Sequence, residues 1–462
     1  MIPRRAGLRF PPMSAVAIPP VPPSPPGAPL LGHMLAYRRD PLGFLVRTAR
    51  AYPGEVFCYR HGPRQVYFLK HPDLVREVLV TRQHEFGKGL GIQWAKLFLG
   101  EGLLTSEGEF HTRQRRLAQP ALHRQRIAAY GADMTDHAVR ARERWSAGQV
   151  LDLDEEMMRL TLAIASTTLF GQDVETDADQ VREDAATILG QFLRFAIPFF
   201  SLIQKLPLPS NRRFARAVAR LDALVYRLIA KRRAEGGDRG DLLSLLLSAQ
   251  DEEGGGGMTD GQLRDEVMTL LLAGHETTSN ALTWTWYLLS QNPHVQERWR
   301  DELRAVLGGR TPTVEDLPAL RYTEMVMAES MRVFPPAWGV GRRCLVDLVL
   351  GGYPMPAGAI IAMSPYVMHR DERFWPEPER FLPERFTPEA RAARPRFAYF
   401  PFGGGARSCI GEPFAWMEGI LVLATLGQRW RFTLVPDQRV EPEPLITLRP
   451  RYGLRMRVER AG

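Results

Sequence analysis

The residue best suited to metal chemistry in this 462-residue chain is Cys409, which follows a run of glycines. Gly403–Gly405 can adopt positive φ and lie close to another group. The apolar segment after Cys409 predicts a helix, with Pro413 in its first turn. Free N–H groups at a helix N-terminus stabilise a thiolate, the form of cysteine that binds metals, and Arg407 adds a nearby positive charge. The alternative is a buried structural cysteine behind a glycine-rich turn.

A polar segment inside a long apolar pattern is the second candidate for chemistry. Glycine, histidine, glutamate, three hydroxyl residues and an asparagine occupy 274–280, and several of these types disfavour helix interiors. Such local departures from propensity are expected at functional sites. Ala273 and Gly274 leave one helix face bare for a flat ligand or dioxygen, and hydroxyl groups can loosen the helix by bonding preceding carbonyls. A kink with satisfied polar groups is the alternative, whereas the zinc motif HExxH is excluded because residue 279 is serine.

One long helix must carry this polar segment. Thr259 and Gln262 fit a capping box at its start, the apolar pattern continues to Leu289, and Asn292–Pro293 stops it. About thirty residues at 1.5 Å each give a helix of about 45 Å, long enough to cross a domain of this size.

Short strands accompany the helices. Strand-like segments are expected near 55–70 and after Pro335, while helical spacing prevails from about 105 to 330. The fold class is therefore mainly α with a minor β portion. A Pro-rich lead-in covers 1–35, because proline removes backbone donors and fixes φ, and residues 36–462 are expected to form one domain.

The composition excludes several classes of protein. Hydrophobic residues make up 45% and charged residues 24%, which is too apolar for a disordered chain. The cysteines Cys58, Cys344 and Cys409 are too few and too far apart for a disulfide framework or a zinc site. No segment predicts a membrane span, and the net charge of +8 comes without the basic run of a nucleic-acid arm. We expect a cytoplasmic monomer with no nucleic-acid partner.

Two segments resemble signature motifs of the cytochrome P-450 (P450) superfamily of haem-thiolate monooxygenases, in its soluble bacterial form. The loop motif Phe-Gly-x-Gly-x-Arg-x-Cys-x-Gly is matched by Phe402, Gly403, Gly405, Arg407, Cys409 and Gly411. The helix motif (Ala/Gly)-Gly-x-(Asp/Glu)-Thr-Thr is matched by Ala273–Thr278. The resemblance implies the P450 fold, with haem b between the long helix and the cysteine-led helix and Cys409 as the iron ligand. It also implies that Glu276 and Thr277 deliver the protons that O–O cleavage requires.

Further motifs extend the resemblance over nearly the whole chain. Glu329 and Arg332 resemble the family's Glu-x-x-Arg motif, which holds the fold around haem. Its arginine partner lies in a downstream Pro-Glu-Arg-Phe stretch, and the spacing favours Arg385 over Arg380.

Three more residues resemble ligands of the haem propionates, in addition to Arg407. His111 and Arg115 match the family's Trp-x-x-x-Arg motif, with histidine in place of tryptophan. Arg342 is placed like a further propionate ligand, and the adjacent Arg343 is the competing choice.

The implied reaction inserts one oxygen atom from O₂ into a lipophilic small molecule such as a terpenoid, a fatty acid or a polyketide. NAD(P)H would supply electrons through a separate ferredoxin or flavodoxin with its reductase. The candidate docking face for this acidic carrier is basic and comprises Arg113, Arg116, Arg124 and Arg126. The candidate pocket residues, besides Ala273 and Thr277, are Ala337, Trp338, Val340 and the expected loop around 91–99.

Two alternatives use the same loop for other purposes. A haem-thiolate peroxygenase or isomerase needs no external electrons, and a haem sensor or carrier needs no catalysis. Neither requires the Glu276–Thr277 pair. The glycine run 87–91 lacks the strand and the GK[ST] ending of a nucleotide loop, so a mobile loop is expected there.

Overall fold

The computed structural model describes residues 20–171, 175–191, 203–250 and 256–461, so residues 1–19 of the predicted lead-in lie outside it. Helices predominate in this part of the chain, which confirms the mainly α fold class. The helices are α1 Met34–Arg39, α2 Pro41–Ala51, α3 Pro72–Arg76, α4 Leu90–Leu99, α5 Gly108–Ala118, α6 Arg124–Ala129, α7 Gly131–Arg144, α8 Leu153–Phe170, α9 Glu175–Leu189, α10 Pro209–Glu235, α11 Leu242–Ser248, α12 Asp260–Gln291, α13 Pro293–Leu307, α14 Arg321–Val333, α15 Pro365–Met368, α16 Pro388–Ala392 and α17 Glu412–Gly427. The strands are β1 Val56–His61, β2 Arg64–Leu69, β3 Phe86–Lys88, β4 Val150–Asp152, β5 Val340–Cys344, β6 Leu348–Leu350, β7 Tyr353–Met355, β8 Ile360–Met363, β9 Trp430–Leu434, β10 Pro442–Pro444, β11 Leu448–Pro450 and β12 Arg455–Arg460.

Helix α12 is the central element. Its capping box forms as the sequence predicts: Thr259 Oγ1 accepts from Gln262 N at 3.2 Å, and Thr259 N donates to Gln262 Oε1 at 2.8 Å. The helix ends at Gln291, close to the predicted end. Most of its side chains are buried, and it packs against α8, α10, α14 and α17. Close packing on several sides fixes the positions of the side chains at its middle.

Helix α17, which follows Cys409, is a core helix. Residues 417–427 are buried without interruption, as expected for a helix that is apolar on all sides. It begins at Glu412 with Pro413 in its first turn, as the sequence predicts. It packs against α7, α12 and α14. None of the helices in the described ranges is long and apolar enough to cross a membrane.

A five-stranded sheet has the order β1-β2-β8-β5-β3. Strands β2 and β8 are parallel, whereas the other neighbouring pairs are antiparallel. The part of the lead-in that the structure describes runs beside β1, where Cys58 N donates to Pro23 O at 2.8 Å.

The glycine run 87–91 belongs to a strand and a helix, so the expectation of a loop is wrong. Phe86–Lys88 forms the edge strand β3, and α4 begins at Leu90. A Cβ atom at Gly89 would lie 2.8 Å from the carbonyl carbon of Gly341. Glycine is needed because the two backbones touch. The candidate pocket segment 91–99 is likewise helix α4 and not a loop.

Strands β10 and β11 form a hairpin beside the middle of α12. Trp284 Nε1 donates to Leu448 O at 2.9 Å, and Leu448 N donates to Pro336 O at 3.0 Å. Trp338 Nε1 donates to Leu445 O at 2.8 Å. The hairpin therefore joins the central helix to the segment that carries the predicted pocket residues.

Glu329 and Arg332 form a fully buried ion pair in α14. Arg332 Nε and Nη2 lie 2.7 and 2.8 Å from the two carboxylate oxygens of Glu329. Arg385 Nε lies 3.4 Å from the same carboxylate, whereas Arg380 is exposed and pairs with Glu377. The geometry therefore agrees with the choice of Arg385. The cluster ties α14 to the segment that leads to the cysteine loop.

Replacing Glu329 by Gln is expected to lower the free energy of unfolding by about 3–5 kcal/mol, because the buried guanidinium of Arg332 loses its counter-charge. Chemical denaturation followed by circular dichroism measures this loss. The matched control is Glu377→Gln, which removes the partner of the exposed Arg380 and should cost about 1 kcal/mol or less. Equal losses in the two variants would contradict a structural role for the buried pair.

Candidate active site

The loop that carries Cys409 is fixed by its glycines. Cys409 N donates to Phe402 O at 2.9 Å, which closes the loop. Gly403 and Gly405 have φ of 72° and 70°, a region that favours glycine. A Cβ atom at Gly405 would lie 1.8 Å from Leu79 O. Both glycines of the motif are therefore required, one by its backbone conformation and the other also by close contact.

Cys409 is accessible although protein surrounds it on most sides. An accessible side chain at such depth borders an internal space, so a ligand inside the fold can reach the sulfur. Burial raises the pKa of the thiol, while N–H groups of Gly411 and Glu412 lower it. The helix-terminal stabilisation that the sequence predicts is thus present, but burial outweighs it in the polypeptide alone.

One face of α12 is accessible at the middle of the otherwise buried helix. Ala273 is exposed, and Thr277, one turn later on the same face, is half-buried. Thr277 Oγ1 donates to Ala273 O at 2.9 Å. A Cβ atom at Gly274 would lie 3.6 Å from Leu169 Cδ1, so Gly274 faces helix α8. Ala273 and Thr277, rather than Gly274, form the bare face that the sequence predicts.

Glu276 points towards the C-terminal hairpin. Its Oε1 accepts from Thr447 Oγ1 at 2.6 Å, and Asn280 Nδ2 donates to the same hydroxyl oxygen at 3.0 Å. Burial raises the pKa of Glu276, while the Thr447 hydroxyl and the Arg449 charge lower it. Glu276 and Thr277 follow each other in the helix and point about 100° apart, so their side chains serve different surroundings.

A cluster of cationic side chains lies beside the cysteine loop. Arg407 Nη1 donates to Ser106 O at 3.0 Å, and Arg115 Nη1 donates to Ser408 O at 2.8 Å. Ser106 Oγ lies 3.2 Å from Nδ1 of His111. Burial and charge repulsion among the members lower the pKa of several of them, that of His111 to about 4, and the carboxylate of Glu107 opposes this effect at Lys88 and Arg342. We call this group the cation cluster; its members are Lys88, Arg115, Arg342 and Arg407, together with the imidazole of His111.

Lys88 and Arg342 stand directly opposite each other in strands β3 and β5, and both are buried. Like charges at such positions destabilise a sheet. Burial and the charges of Arg342 and Arg407 lower the pKa of Lys88 to about 7, and burial and Arg407 lower that of Arg342 to about 10. Arg343 is opposite Gly87. Strand alternation places Arg343 on the other side of β5, so the geometry favours Arg342 for the cluster.

The cation cluster and the accessible sulfur fit the haem that the resemblance implies. Lys88, Arg342 and Arg407 interact with the single carboxylate of Glu107, which leaves an excess of positive charge. Two propionate carboxylates would offset this excess through charge-assisted hydrogen bonds. The residues that would hold the group are thus Cys409 at its iron and the cluster at its propionates.

Three residues of this region escaped the sequence prediction. Lys88 falls in a glycine run that predicts a loop. Only the assignment of Phe86–Lys88 as a strand would indicate that Lys88 can stand opposite another charged residue. Thr447 and Arg449 reach Glu276 only through the fold, and no spacing in the sequence links them to it.

The predicted pocket residues are half-buried: Ala337 and Trp338 lie just before strand β5, and Val340 is its first residue. Trp338 packs against the apolar cluster around Phe68 as well as bonding to Leu445. Their contact with a substrate stays a prediction.

Comparison with known proteins finds relatives along nearly the whole chain. The family model for cytochrome P450 matches residues 22–454. Cyclooctatin synthase of Streptomyces melanosporofaciens is 42% identical over 424 residues, covering 91% of this chain and 92% of its own. Cyclooctat-9-en-7-ol 5-monooxygenase of the same organism is 40% identical over 413 residues, covering 89% of each chain. Pentalenene oxygenase of Streptomyces avermitilis is 36% identical over 438 residues, covering 94% and 96%.

A solved structure shares the architecture. The crystal structure of the cytochrome P450DA heme domain superposes with a TM-score of 0.87 at 29% sequence identity, covering 96% of this chain and 99% of that one. The predicted P450 fold is confirmed.

Replacing Lys88 by Met is expected to weaken the hold on haem, because one charge-assisted hydrogen bond to a propionate is worth about 1.5–3 kcal/mol, or about ten- to one-hundred-fold in affinity. Haem transfer to excess apomyoglobin, followed by absorbance, measures the rate of loss without any turnover. Lys96→Met is the matched control, since Lys96 forms a surface pair with Glu101 at 2.6 Å. Haem loss from Lys88→Met at the rate of this control would remove Lys88 from the site.

Proposed function

This chain belongs to the cytochrome P450 family, and we propose that it is a monooxygenase of cyclic terpenoids that receives electrons from a separate ferredoxin or flavodoxin. The observation that carries the proposal is the accessible sulfur of Cys409 inside the fold, next to a buried excess of positive charge. Haem b fits both features, because its iron can bind the sulfur and its two propionate carboxylates can pair with the positive charges.

The chain's own residues hold the cysteine loop in place for that cofactor. Arg115 donates to the carbonyl of Ser408, and Phe402 O accepts from Cys409 N. Bound haem supplies an iron that activates dioxygen, and its charge favours the thiolate form of the ligand. The loop therefore needs no rearrangement to present its sulfur.

Glu276 and Thr277 supply protons in this proposal. Thr277 carries its hydroxyl proton on the accessible face of α12, where it donates to Ala273 O. The raised pKa of buried Glu276 increases its protonated fraction near neutral pH, which suits a proton donor. The hydrogen bond from Thr447 holds the carboxyl group of Glu276 against the hairpin. To pass a proton to Thr277, this carboxyl group must rotate away from Thr447.

The proposed substrate class rests on the relatives and on the apolar pocket residues. Two relatives are named for cyclooctat-9-en-7-ol and pentalenene, which are cyclic terpenoid structures. The predicted pocket residues Ala273, Ala337, Trp338 and Val340 carry no charge. Burying an unpaired carboxylate among such side chains is costly. A neutral terpenoid therefore fits better than a fatty acid.

Turnover of a neutral cyclic diterpene alcohol, with a long-chain fatty acid as competitor, tests the function. Under ¹⁸O₂, we expect a product that contains one ¹⁸O atom and forms only with NADPH, a ferredoxin and its reductase. The reduced, CO-bound protein should show the red-shifted Soret band of thiolate ligation, and Cys409→Ser should abolish the band and the product. Product formed with hydrogen peroxide but not with NADPH and the redox partners would identify a peroxygenase, and an isomeric product without added oxygen would identify an isomerase.

A basic depression on the surface behind the cysteine loop is the proposed docking site for the electron carrier. It encloses about 730 Å³ and is lined by Arg115, Arg116, Arg126 and His123, among others. Arg113, which the sequence groups with these, donates to Gly256 O at 3.1 Å and is not among the lining residues. The side chain of Arg124 lies outside those that the structure describes.

Reversing the charge at Arg116 and Arg126 is expected to slow reduction by an acidic ferredoxin about ten-fold or more at low salt, because electrostatic steering accelerates association by 10–10³. Stopped-flow reduction at increasing salt measures the effect, which should shrink as screening grows. Arg213→Glu, an exposed arginine on α10, is the control. The docking site is wrong if reduction of the double variant follows that of the control at every salt concentration.

A further inference from the structure

Asp154 is a second buried carboxyl group near Glu276 that the proposed function does not use. It is the second residue of α8, and its N–H donates to Asp152 Oδ1 at 3.1 Å. Its own Oδ1 is buried and has no hydrogen-bond partner among the described residues. The residue as a whole is nevertheless partly accessible. Asp154 thus lies between solvent and the interior.

Helix α8 brings Asp154 to the same part of the molecule as Glu276. The two helices pack along each other, and Thr161 Oγ1 of α8 donates to His275 O at 3.0 Å. Asp154 lies close enough to Glu276 for the two carboxylates to repel each other. No hydrogen bond joins the two carboxyl groups, so a nearby positive charge would offset their repulsion.

Arg449 supplies this positive charge. Its guanidinium interacts favourably with both Asp154 and Glu276. Its Nε and Nη2 each lie 3.1 Å from Glu443 Oε2, across the hairpin pair β10–β11, and about a third of the side chain reaches solvent. Thr447, two residues earlier, holds Glu276. The hairpin therefore contacts Glu276 through a hydrogen bond and acts on Asp154 through the charge of Arg449.

We propose that Asp154 is the carboxyl group through which protons from solvent reach Glu276, and that Arg449 positions the two carboxylates for this transfer. The inference rests on the proposed role of Glu276 as a proton donor. Neither Asp154 nor Arg449 touches the substrate, so both act through Glu276.

The transfer moves one proton and no electrons. Solvent protonates the Asp154 carboxylate, Asp154 passes that proton through an intervening water molecule to the Glu276 carboxylate, and Asp154 becomes a carboxylate again. Arg449 keeps its charge throughout. Burial, followed by repulsion from Asp152 and more weakly from Glu276 and Glu155, raises the pKa of Asp154 to about 7, while the charge of Arg449 lowers it. A donor with such a pKa is loaded and unloaded near neutral pH.

The test uses the haem-loaded enzyme with NADPH, its redox partners and a substrate that it oxygenates. The amounts of product and of hydrogen peroxide formed are compared between pH 6 and 9. In the wild type, the fraction of electrons recovered in product should fall as pH rises through about 7, because Asp154 is protonated below its pKa and not above it. Asp154→Asn should lose this break and should divert electrons to hydrogen peroxide at least several-fold more. It should also raise the solvent deuterium isotope effect on product formation.

Two further variants separate proton transfer from folding. Glu183→Gln, which removes an exposed carboxylate on helix α9, should behave like the wild type. Arg449→Met removes a charge that lowers the pKa of Asp154, so the break should move to higher pH. A merely structural role for Arg449 would leave the pH of the break unchanged. The substrate-induced spectral shift shows that each variant is folded.

The outcomes distinguish this inference from the function on which it rests. Uncoupling in Glu276→Gln together with wild-type coupling and pH profile in Asp154→Asn would overturn the role of Asp154 alone. Wild-type coupling in both variants would overturn the role of Glu276 and, with it, this inference.

Discussion

Burying like charges together is the constraint on which the rest of the site depends. Lys88 and Arg342 face each other across two strands in the interior, although a sheet is destabilised by such a pair. The backbone contact between Gly89 and Gly341 holds these strands together. Among the residues that the structure describes, this region therefore carries a positive excess, and an anionic ligand would relieve it. The cysteine loop, tied to the same cluster through Arg115, is positioned by the same arrangement.

The central helix α12 separates two environments on neighbouring residues. Thr277 shares an accessible face with Ala273, while Glu276 is buried against the hairpin. A helix can do this because consecutive side chains diverge by about 100°. The polar segment lowers helix propensity, yet packing against α8 and α17 and the capping box at Thr259 keep the helix intact. The weak propensity is tolerated because tertiary contacts, and not local preference, stabilise this helix.

Features with a local pattern were predictable from the sequence, and features that depend on pairing between distant segments were not. The cap at Thr259, the turn glycines around Cys409 and the Glu329–Arg332 pair each lie within a few residues of one another, so spacing alone indicates them. The place of Lys88 in the cation cluster is not predictable, because it depends on which strand pairs with β3. Thr447 was missed because nothing in the hairpin sequence identifies the helix against which it packs.

The hairpin β10–β11 also connects Trp338, a predicted pocket residue, to Glu276. Leu445 O accepts from the indole of Trp338, and two residues later Thr447 holds Glu276. Only one residue separates Leu445 from Thr447, so a displacement of Trp338 is transmitted along a very short stretch of chain to the hydroxyl group that holds Glu276. In the proposed function, the shape of the pocket and the position of the acid are therefore not independent of each other.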